Sequence, residues 1–302
     1  LALVNFESAK GHYPGSVNYL GERTSAGIPV AADLATPLNI VLRTPAPSAG
    51  LETNDVSWQV VLYPYLERND LWNEWSNKKV LPVGSELAEE NNPDRRPEVY
   101  WPLFSCPSDP PTDTSTAQSS YIANCGEPTA YDASNPRTND RTYNGVFTIQ
   151  SSYVHEKARV LTSAGYVSTK DGTEYTAAFS ESIRTTSYIP REPTTGERVM
   201  PREVDMGWLW TENKNLDCTA GSTIVGINDC KDDLGLAQRF ATPSSYHPGG
   251  VMVSFLTGRV VLLRENVNWG VVKLIMSPDS KRAWRDNGVA DPGWGVLDPG
   301  DL

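Results

Sequence analysis

The sequence lacks long apolar runs, basic segments and Cys-x-x-Cys pairs, and each absence excludes a class of protein. No stretch approaches the roughly eighteen consecutive apolar residues of a membrane-spanning helix, so the chain as given is expected to be soluble. The formal charge of −11 and the absence of Lys/Arg clusters argue against nucleic-acid partners, because such binding depends on cations that neutralise phosphates. The sequence has only three histidines besides its four cysteines, so it offers few ligands for a tetrahedral zinc site.

The composition predicts a protein of short strands and long structured loops. The 302 residues include 23 Gly, 23 Pro, 13 Tyr and 9 Trp, which favours turns and aromatic packing over long helices. A hydrophobic content of 39% is enough for a real core. We expect one elaborated domain.

The four cysteines predict two disulfides. The spacing favours Cys106 with Cys125 and Cys218 with Cys230, because each pair closes a short loop rich in turn residues. Four cysteines nonetheless allow three connectivities. Two disulfides would indicate an oxidising compartment.

The beginning of the sequence has the pattern of a helix end. Apolar side chains at Leu3 and Phe6 are followed by Gly11 and Pro14, which are typical of a helix C-terminus. No capping residue introduces this helix, as if it were cut from a longer one. Two further helices are predicted, one from 57 to 75 with an interruption near Pro64, and a short amphipathic one from Trp269 to Met276.

Residues Val251 to Leu263 predict a β-hairpin. Two β-rich runs flank a turn at Thr257 and Gly258, in which glycine can adopt a positive φ. The alternation places Val253 and Phe255 on one face of the sheet.

Six short blocks form a distinctive ordered set. They are the helix exit around Asn5, Phe6 and Pro14, the segment from Trp58 to Leu71, the turn from Phe104 to Pro110, the strand from Ser120 to Gly126, the segment from Asp171 to Glu181, and His247 with Gly249, Gly250 and Gly258. In this order they resemble a large planctomycete family of pilin-like proteins with a prepilin-type N-terminus and a C-terminal domain of unknown function. In the family signature a His is followed by an Asp-Gly pair, whereas Thr257 stands here in place of the Asp.

The resemblance implies an α+β, pilin-like fold in which the stub of an N-terminal helix packs on an antiparallel β-sheet with long loop insertions. Residues 1–15 would be the C-terminal end of a spine helix, 16–290 the globular head, and the Pro/Gly-rich residues 291–302 a surface tail. Family members anchor in a membrane or pack in a filament through an apolar N-terminal helix. That helix would be absent from this chain.

The function expected from the resemblance is structural. The chain would be an extracytoplasmic headpiece, at the cell surface or in the periplasm, of a type IV pilus-like or type II secretion pseudopilus-like assembly. Its partners would be other pilin-like subunits, and we expect no catalysis and no cofactor. His247, Gly249, Gly250, Gly258, Asp109 and Asp171 would then be signature residues with architectural roles.

Two other classes of function remain open at this level. An extracellular carbohydrate- or solute-binding protein would stack sugar rings on exposed indoles, for which the candidates are Trp208, Trp210, Trp284 and Trp294. A secreted hydrolase could use His247 with Ser244 or Ser245, although nothing resembles a nucleophile elbow and we expect His247 to pin the hairpin by hydrogen bonds.

Calcium is the one metal that the sequence suggests, and solvated loop carboxylates are the default interpretation. Two acidic turns could supply the oxygen ligands that calcium needs, and neither matches the EF-hand pattern. The candidate ligands are Asp109 and Asp113 in the first turn, and Asp229, Asp232 and Asp233 in the second.

Overall fold

The structure is a computed structural model, and it describes residues 1–24, 29–30, 51–77, 99–111, 113–126, 131–132, 135–136, 141–150, 159–183, 185, 187–188, 206–209, 227–228 and 241–286. The predicted surface tail at 291–302 lies outside these residues. None of the helices in these ranges combines the length and the apolar content needed to cross a membrane.

Short helices and strands alternate along the described chain. The helices are α1 (Ala2–Lys10), α2 (Trp58–Val61), α3 (Asn69–Asn77), α4 (Ala164–Ser168), α5 (Trp269–Met276) and α6 (Ser280–Asp286), with 3₁₀ turns at Tyr63–Leu66 and Pro102–Phe104. The strands are β1 (Val17–Thr24), β2 (Pro29–Val30), β3 (Leu51–Ser57), β4 (Tyr121–Gly126), β5 (Tyr131–Asp132), β6 (Asn135–Pro136), β7 (Ala177–Glu181), β8 (Gly207–Leu209), β9 (Gly250–Phe255) and β10 (Val260–Arg264).

A five-stranded sheet lies at the centre of the fold, with the strand order β10-β9-β7-β4-β8. The pairs β10–β9, β9–β7 and β7–β4 are antiparallel, whereas β4 and β8 run parallel. A separate antiparallel sheet has the order β2-β1-β3, and β5 pairs with β6. The fold class is therefore α+β, as predicted, and its central sheet is mixed.

Each face of the central sheet supports its own hydrophobic core. Strand β4 shows the division, because Ala123 and Cys125 belong to one cluster and the residue before them, Ile122, belongs to the other. The first cluster contains the packing partners of α1, α2 and α3, and the second contains Val253 and Ile275, from β9 and α5. The central sheet is therefore packed on both of its faces.

An aromatic cluster fixes the loop that follows the second 3₁₀ turn. The ring of Trp58 lies 5.9 Å from that of Phe104, 6.3 Å from that of Phe147 and 4.7 Å from that of Phe179. Phe104 also packs edge-on against Tyr188 at 5.4 Å. Because Phe104 is the last residue of the turn, this packing holds the next few residues against the end of the sheet.

The hairpin and helix α5 form where the sequence predicted them, but the hairpin turn is longer than the predicted two residues. Val253 and Phe255 are buried on one face, as predicted. The loop has three residues, 256–258, rather than two, because the Phe255 N–H donates to the Arg259 carbonyl at 2.8 Å and this pair closes the hairpin. Gly258 has a φ of 86°, so the predicted positive φ is confirmed.

The predicted interruption near Pro64 is also confirmed, although the following helix begins later than the sequence indicated. Pro64 lies in the 3₁₀ turn, and Glu67 closes that turn with a φ of 62°. A left-handed residue cannot continue a right-handed helix, so α3 begins only at Asn69.

Helix α1 packs firmly against the rest of the described chain. Leu3 and Phe6 are buried, and the Phe6 ring packs edge-on against Tyr65 at 5.4 Å. Gly11 ends the helix with a φ of 77°, as its position predicted. Tyr13 follows, with its N–H donating to the Thr162 carbonyl at 2.8 Å.

Alkaline pH should weaken this junction through Tyr13. Burial, with a smaller contribution from the charge of Glu7, raises the pKa of Tyr13 from 10.0 to about 12. The phenol is neutral in both states below pH 10, so its contribution to stability is intact there and is lost as the pH rises from 10 to about 12. We expect the urea midpoint of the Tyr13→Phe variant to fall less than that of the parent chain between pH 9 and pH 11.5. Parallel losses in the two proteins would contradict this assignment.

Candidate functional site

Three chemically versatile side chains, far apart in the sequence, meet at one end of the central sheet. The Glu181 Oε1 atom lies 3.3 Å from the Cys106 Sγ and 3.1 Å from the His247 Nε2, and the sulfur and nitrogen are 3.7 Å apart. Within the described ranges, this is the one group of three or more His, Cys, Asp or Glu residues whose ligand atoms all lie within 4.8 Å of one another. We call these three residues the thiol–carboxylate–imidazole cluster.

Glu181 is the central member of the cluster and the best fixed. It is the last residue of β7, opposite Tyr121 of β4, and its side chain is only 5% exposed. The Met252 N–H of the neighbouring strand β9 donates to Oε2 at 2.8 Å. One carboxylate oxygen is thus engaged by the sheet, and the other faces Cys106 and His247.

Cys106 reaches Glu181 because its loop is tied to the sheet. The Ser120 N–H donates to the Phe104 carbonyl at 2.7 Å, and the Asp109 N–H donates to the Cys106 carbonyl at 2.9 Å. Burial raises the pKa of the Cys106 thiol above its ordinary value; the Glu181 carboxylate adds to the rise, and hydrogen bonds from Ser108 oppose it. The protonated thiol donates a hydrogen bond to Glu181 Oε1.

His247 lies in a loop whose backbone is held by hydrogen bonds. The Ser245 hydroxyl accepts from the His247 N–H at 3.1 Å and donates to the Gly250 carbonyl at 2.7 Å. The Asn228 Oδ1 accepts from the Ser245 N–H at 2.8 Å. The His247 side chain is 31% exposed, so one side of the cluster is open to solvent.

The signature glycines shape the backbone around this loop. Gly249 adopts a φ of 78°, and a Cβ at Gly250 would lie 2.3 Å from the Leu263 carbonyl oxygen of β10. Thr257 is exposed in the hairpin turn beside Gly258, which has the positive φ. An exposed turn position accommodates Thr in place of Asp, whereas the glycine positions have no room or no freedom for a side chain.

The signature aspartates are half-buried and hydrogen-bonded. Asp109 Oδ2 accepts from the Ser120 hydroxyl at 3.0 Å, and Asp171 Oδ2 accepts from the Ser280 N–H at the start of α6, at 2.7 Å. Burial raises the pKa of both carboxyl groups above the ordinary value.

The predicted calcium ligands are only partly described. Asp113 is exposed and accepts from the Ser115 N–H at 2.8 Å, so it closes a local turn. Neither Asp109 nor Asp113 belongs to the cluster, and calcium at their turn stays a prediction. The second acidic turn, with Asp229, Asp232 and Asp233, lies outside the described residues.

The prediction of a Cys106–Cys125 disulfide is wrong for this structure. Both residues are buried thiols, and the Cys125 Sγ donates to the Ala123 carbonyl at 3.3 Å. Cys106 contacts Glu181, which pairs with Tyr121, whereas Cys125 is four residues further along β4, or about 13 Å at the usual strand rise. A disulfide needs Cα atoms about 4.4 to 6.8 Å apart. Cys218 and Cys230 lie outside the described residues.

One of the four tryptophans predicted to stack on sugar rings, Trp208, is buried. Trp208 has no exposed surface and packs in the core beside α5, so it cannot stack on a sugar ring. Trp284 belongs to α6, and its side chain lies outside the described part of the structure, as do Trp210 and Trp294.

The serines near His247 do not form a nucleophile–base pair with its ring. Ser244 is fully buried and donates to the Thr242 carbonyl at 3.0 Å, while Ser245 donates to Gly250. The imidazole Nε2 points to Glu181 instead. His247 is linked through Glu181 to Met252 of β9, so the hydrogen bonding expected to pin the hairpin is present.

Sequence reasoning did not identify Cys106 and Glu181 as partners of His247. Cys106 was assigned to a disulfide, and Glu181 counted only as part of a block. The available signal was that three separate blocks each contain at least one potential metal ligand, among them the Cys of Phe-x-Cys-Pro, the Glu after Ser180 and the His before Gly249-Gly250.

An α+β protein with a partly buried thiol–carboxylate–imidazole cluster is thus the class that the fold and site define. Residues 1–270 match the family described as "Protein of unknown function (DUF1559)", with the model name SBP_bac_10. The chain belongs to this family, and the match includes all three cluster residues. No curated protein and no solved structure matches the chain.

Proposed function

We propose that the protein is a structural subunit: a pilin- or pseudopilin-like headpiece of an extracytoplasmic filament or secretion assembly, acting without catalysis. The observation that carries this proposal is the N-terminal helix α1, which is buried on one side against the head and exposes an apolar side chain, Val4, on another. Val4 is 47% exposed.

The attachment of α1 supports a structural role. The Glu7 Oε1 accepts from the Ala164 N–H at the start of α4, at 2.9 Å, in addition to the packing of Leu3 and Phe6. A helix fixed by apolar and polar contacts has one orientation relative to its head. Subunits that pack along such a helix would set the position of each head in an assembly.

The head has the properties of a solvated shell. Its net charge of −11 favours solubility and keeps heads apart except where specific contacts form. Under this proposal its partners are other pilin-like subunits that pack against the exposed side of α1. Localisation outside the cytoplasm is part of the same proposal, and the free thiols of Cys106 and Cys125 do not support it.

Photocrosslinking in source cells tests the proposal. A benzophenone amino acid at Val4 should give adducts with a second copy of the protein or another pilin-like subunit, in a sheared surface fraction or a membrane fraction. The matched control is Leu103, which is 52% exposed but lies on the head, and it should give far fewer adducts. Equal adduct yields from the two positions, or none from Val4, would refute assembly through α1.

A further inference from the structure

We propose that Cys106, Glu181 and His247 bind a zinc-class divalent cation, with one ligand atom from each side chain. This site is independent of the proposed structural function, since it lies at the end of the central sheet rather than on α1.

The spacing of the three ligand atoms matches a tetrahedral zinc site. Zn–S bonds of about 2.3 Å and Zn–N and Zn–O bonds of about 2.0 to 2.1 Å place sulfur about 3.6 Å from each of the other two atoms, and nitrogen about 3.3 Å from oxygen. The observed separations are 3.7 Å for sulfur to nitrogen, 3.3 Å for sulfur to oxygen and 3.1 Å for nitrogen to oxygen. Each lies within about 0.3 Å of the tetrahedral value.

The chemistry of the three ligands selects the class of cation. A thiolate and an imidazole favour zinc and similar transition metals over calcium or magnesium, which prefer an all-oxygen shell. Three protein ligands leave the fourth tetrahedral position for water or an exchangeable ligand. The 31% exposure of His247 gives that position a path to solvent.

The surroundings of the ligands are those of a preorganised site. Outer hydrogen bonds that orient ligands are a regular feature of metal centres. Here the Met252 N–H holds Glu181 Oε2, which directs Oε1 to the other two residues, and the Ser245 hydroxyl holds the His247 backbone. The loop of Cys106 is anchored by Phe104 in the aromatic cluster. Each ligand comes from a different segment, so the cation would tie the loops at 105–109 and 245–250 to strand β7.

A hydrogen-bonded triad without a cation is the competing explanation of the same contacts. In that case the Cys106 thiol and the His247 ring both bond to Glu181 Oε1, and the residues only stabilise the fold. Metal binding differs because the thiol must release its proton to solvent when sulfur becomes a ligand. The experiment therefore has to detect a sulfur–metal bond.

The test is titration of the reduced, chelator-treated 302-residue protein with Zn²⁺ by calorimetry, and with Co²⁺ as a spectroscopic probe. We expect one equivalent of either ion to bind, with a sulfur-to-cobalt charge-transfer band. Cys106→Ser should abolish that band. Cys106→Ser and His247→Asn should each weaken Zn²⁺ binding by at least about 100-fold, because the loss of an outer-shell partner alone costs up to about that much.

The matched control is Cys125→Ser, which removes another buried thiol but lies outside the cluster and should bind Zn²⁺ as the parent does. Circular dichroism verifies that each variant is folded, and the partly exposed His247 provides a second variant if Cys106→Ser is unstable. Absence of Zn²⁺ binding by the parent protein would overturn the proposal. The proposal would also fail if both Cys106→Ser and His247→Asn bound Zn²⁺ as the parent does. The ion would then be bound elsewhere, and the three side chains would form a hydrogen-bonded triad only. Neither result bears on the crosslinking of α1.

Discussion

Replacing Gly126 with alanine should cost at least about 4 kcal/mol of folding free energy, in the range of the most damaging single substitutions. Gly126 has a φ of 75°, and a Cβ at this position would lie 2.0 Å from the Asn144 carbonyl oxygen. The obstacle is backbone rather than a flexible side chain, so β4 and the segment that crosses it would have to separate. A fall in melting temperature of about 6 °C or more is the measurable consequence.

Gly11→Ala is the matched control for this prediction. Gly11 has nearly the same φ, 77°, and nothing within 4 Å of the added Cβ. Its free energy of unfolding should therefore fall only by the cost of placing alanine in the left-handed region, about 1 to 2 kcal/mol. If the two variants melt at the same temperature, close backbone approach at Gly126 is not what requires glycine there.

Trp208→Ala should destabilise the protein by about 3 to 5 kcal/mol, because it removes a completely buried indole from the core between the sheet and α5. The measurement is the free energy of unfolding from urea denaturation. Trp72→Ala is the control, since Trp72 is only partly buried on α3 and should cost less than half as much. A Trp208→Ala variant as stable as the parent would mean that this residue is not a core residue.

Local patterns predicted the elements that depend on neighbouring residues. The β9–β10 hairpin, α5 and the end of α1 all lie where alternation, periodicity and glycine indicated them. Two errors were local as well. Glu67 took a positive φ that is unusual for a glutamate, which delayed α3, and the hairpin turn proved longer than the Thr-Gly pair suggested.

The cluster could not be located in the same way, because its geometry depends on tertiary structure. Cys106 is 75 residues from Glu181 and 141 residues from His247. Their meeting depends on the aromatic packing of Phe104 and on the pairing of β7 with both β4 and β9. The spacing of cysteines along the chain favoured Cys125 as the partner of Cys106, whereas the register of β4 separates them.

The parallel pairing of β4 with β8 has a consequence for how the chain acquires its structure. The β9–β10 hairpin joins neighbouring segments, and hairpins close in about 1 to 10 μs. By contrast, β4 finds β7 and β8 only across long intervening stretches, and such distant pairings are slow. During synthesis β4 emerges well before β7, β8 and β9, so its apolar positions Ile122 and Ala123 must wait for later residues to cover them. A nascent chain halted before β9 should therefore bind chaperones that recognise exposed apolar strands, and release should require the C-terminal hairpin.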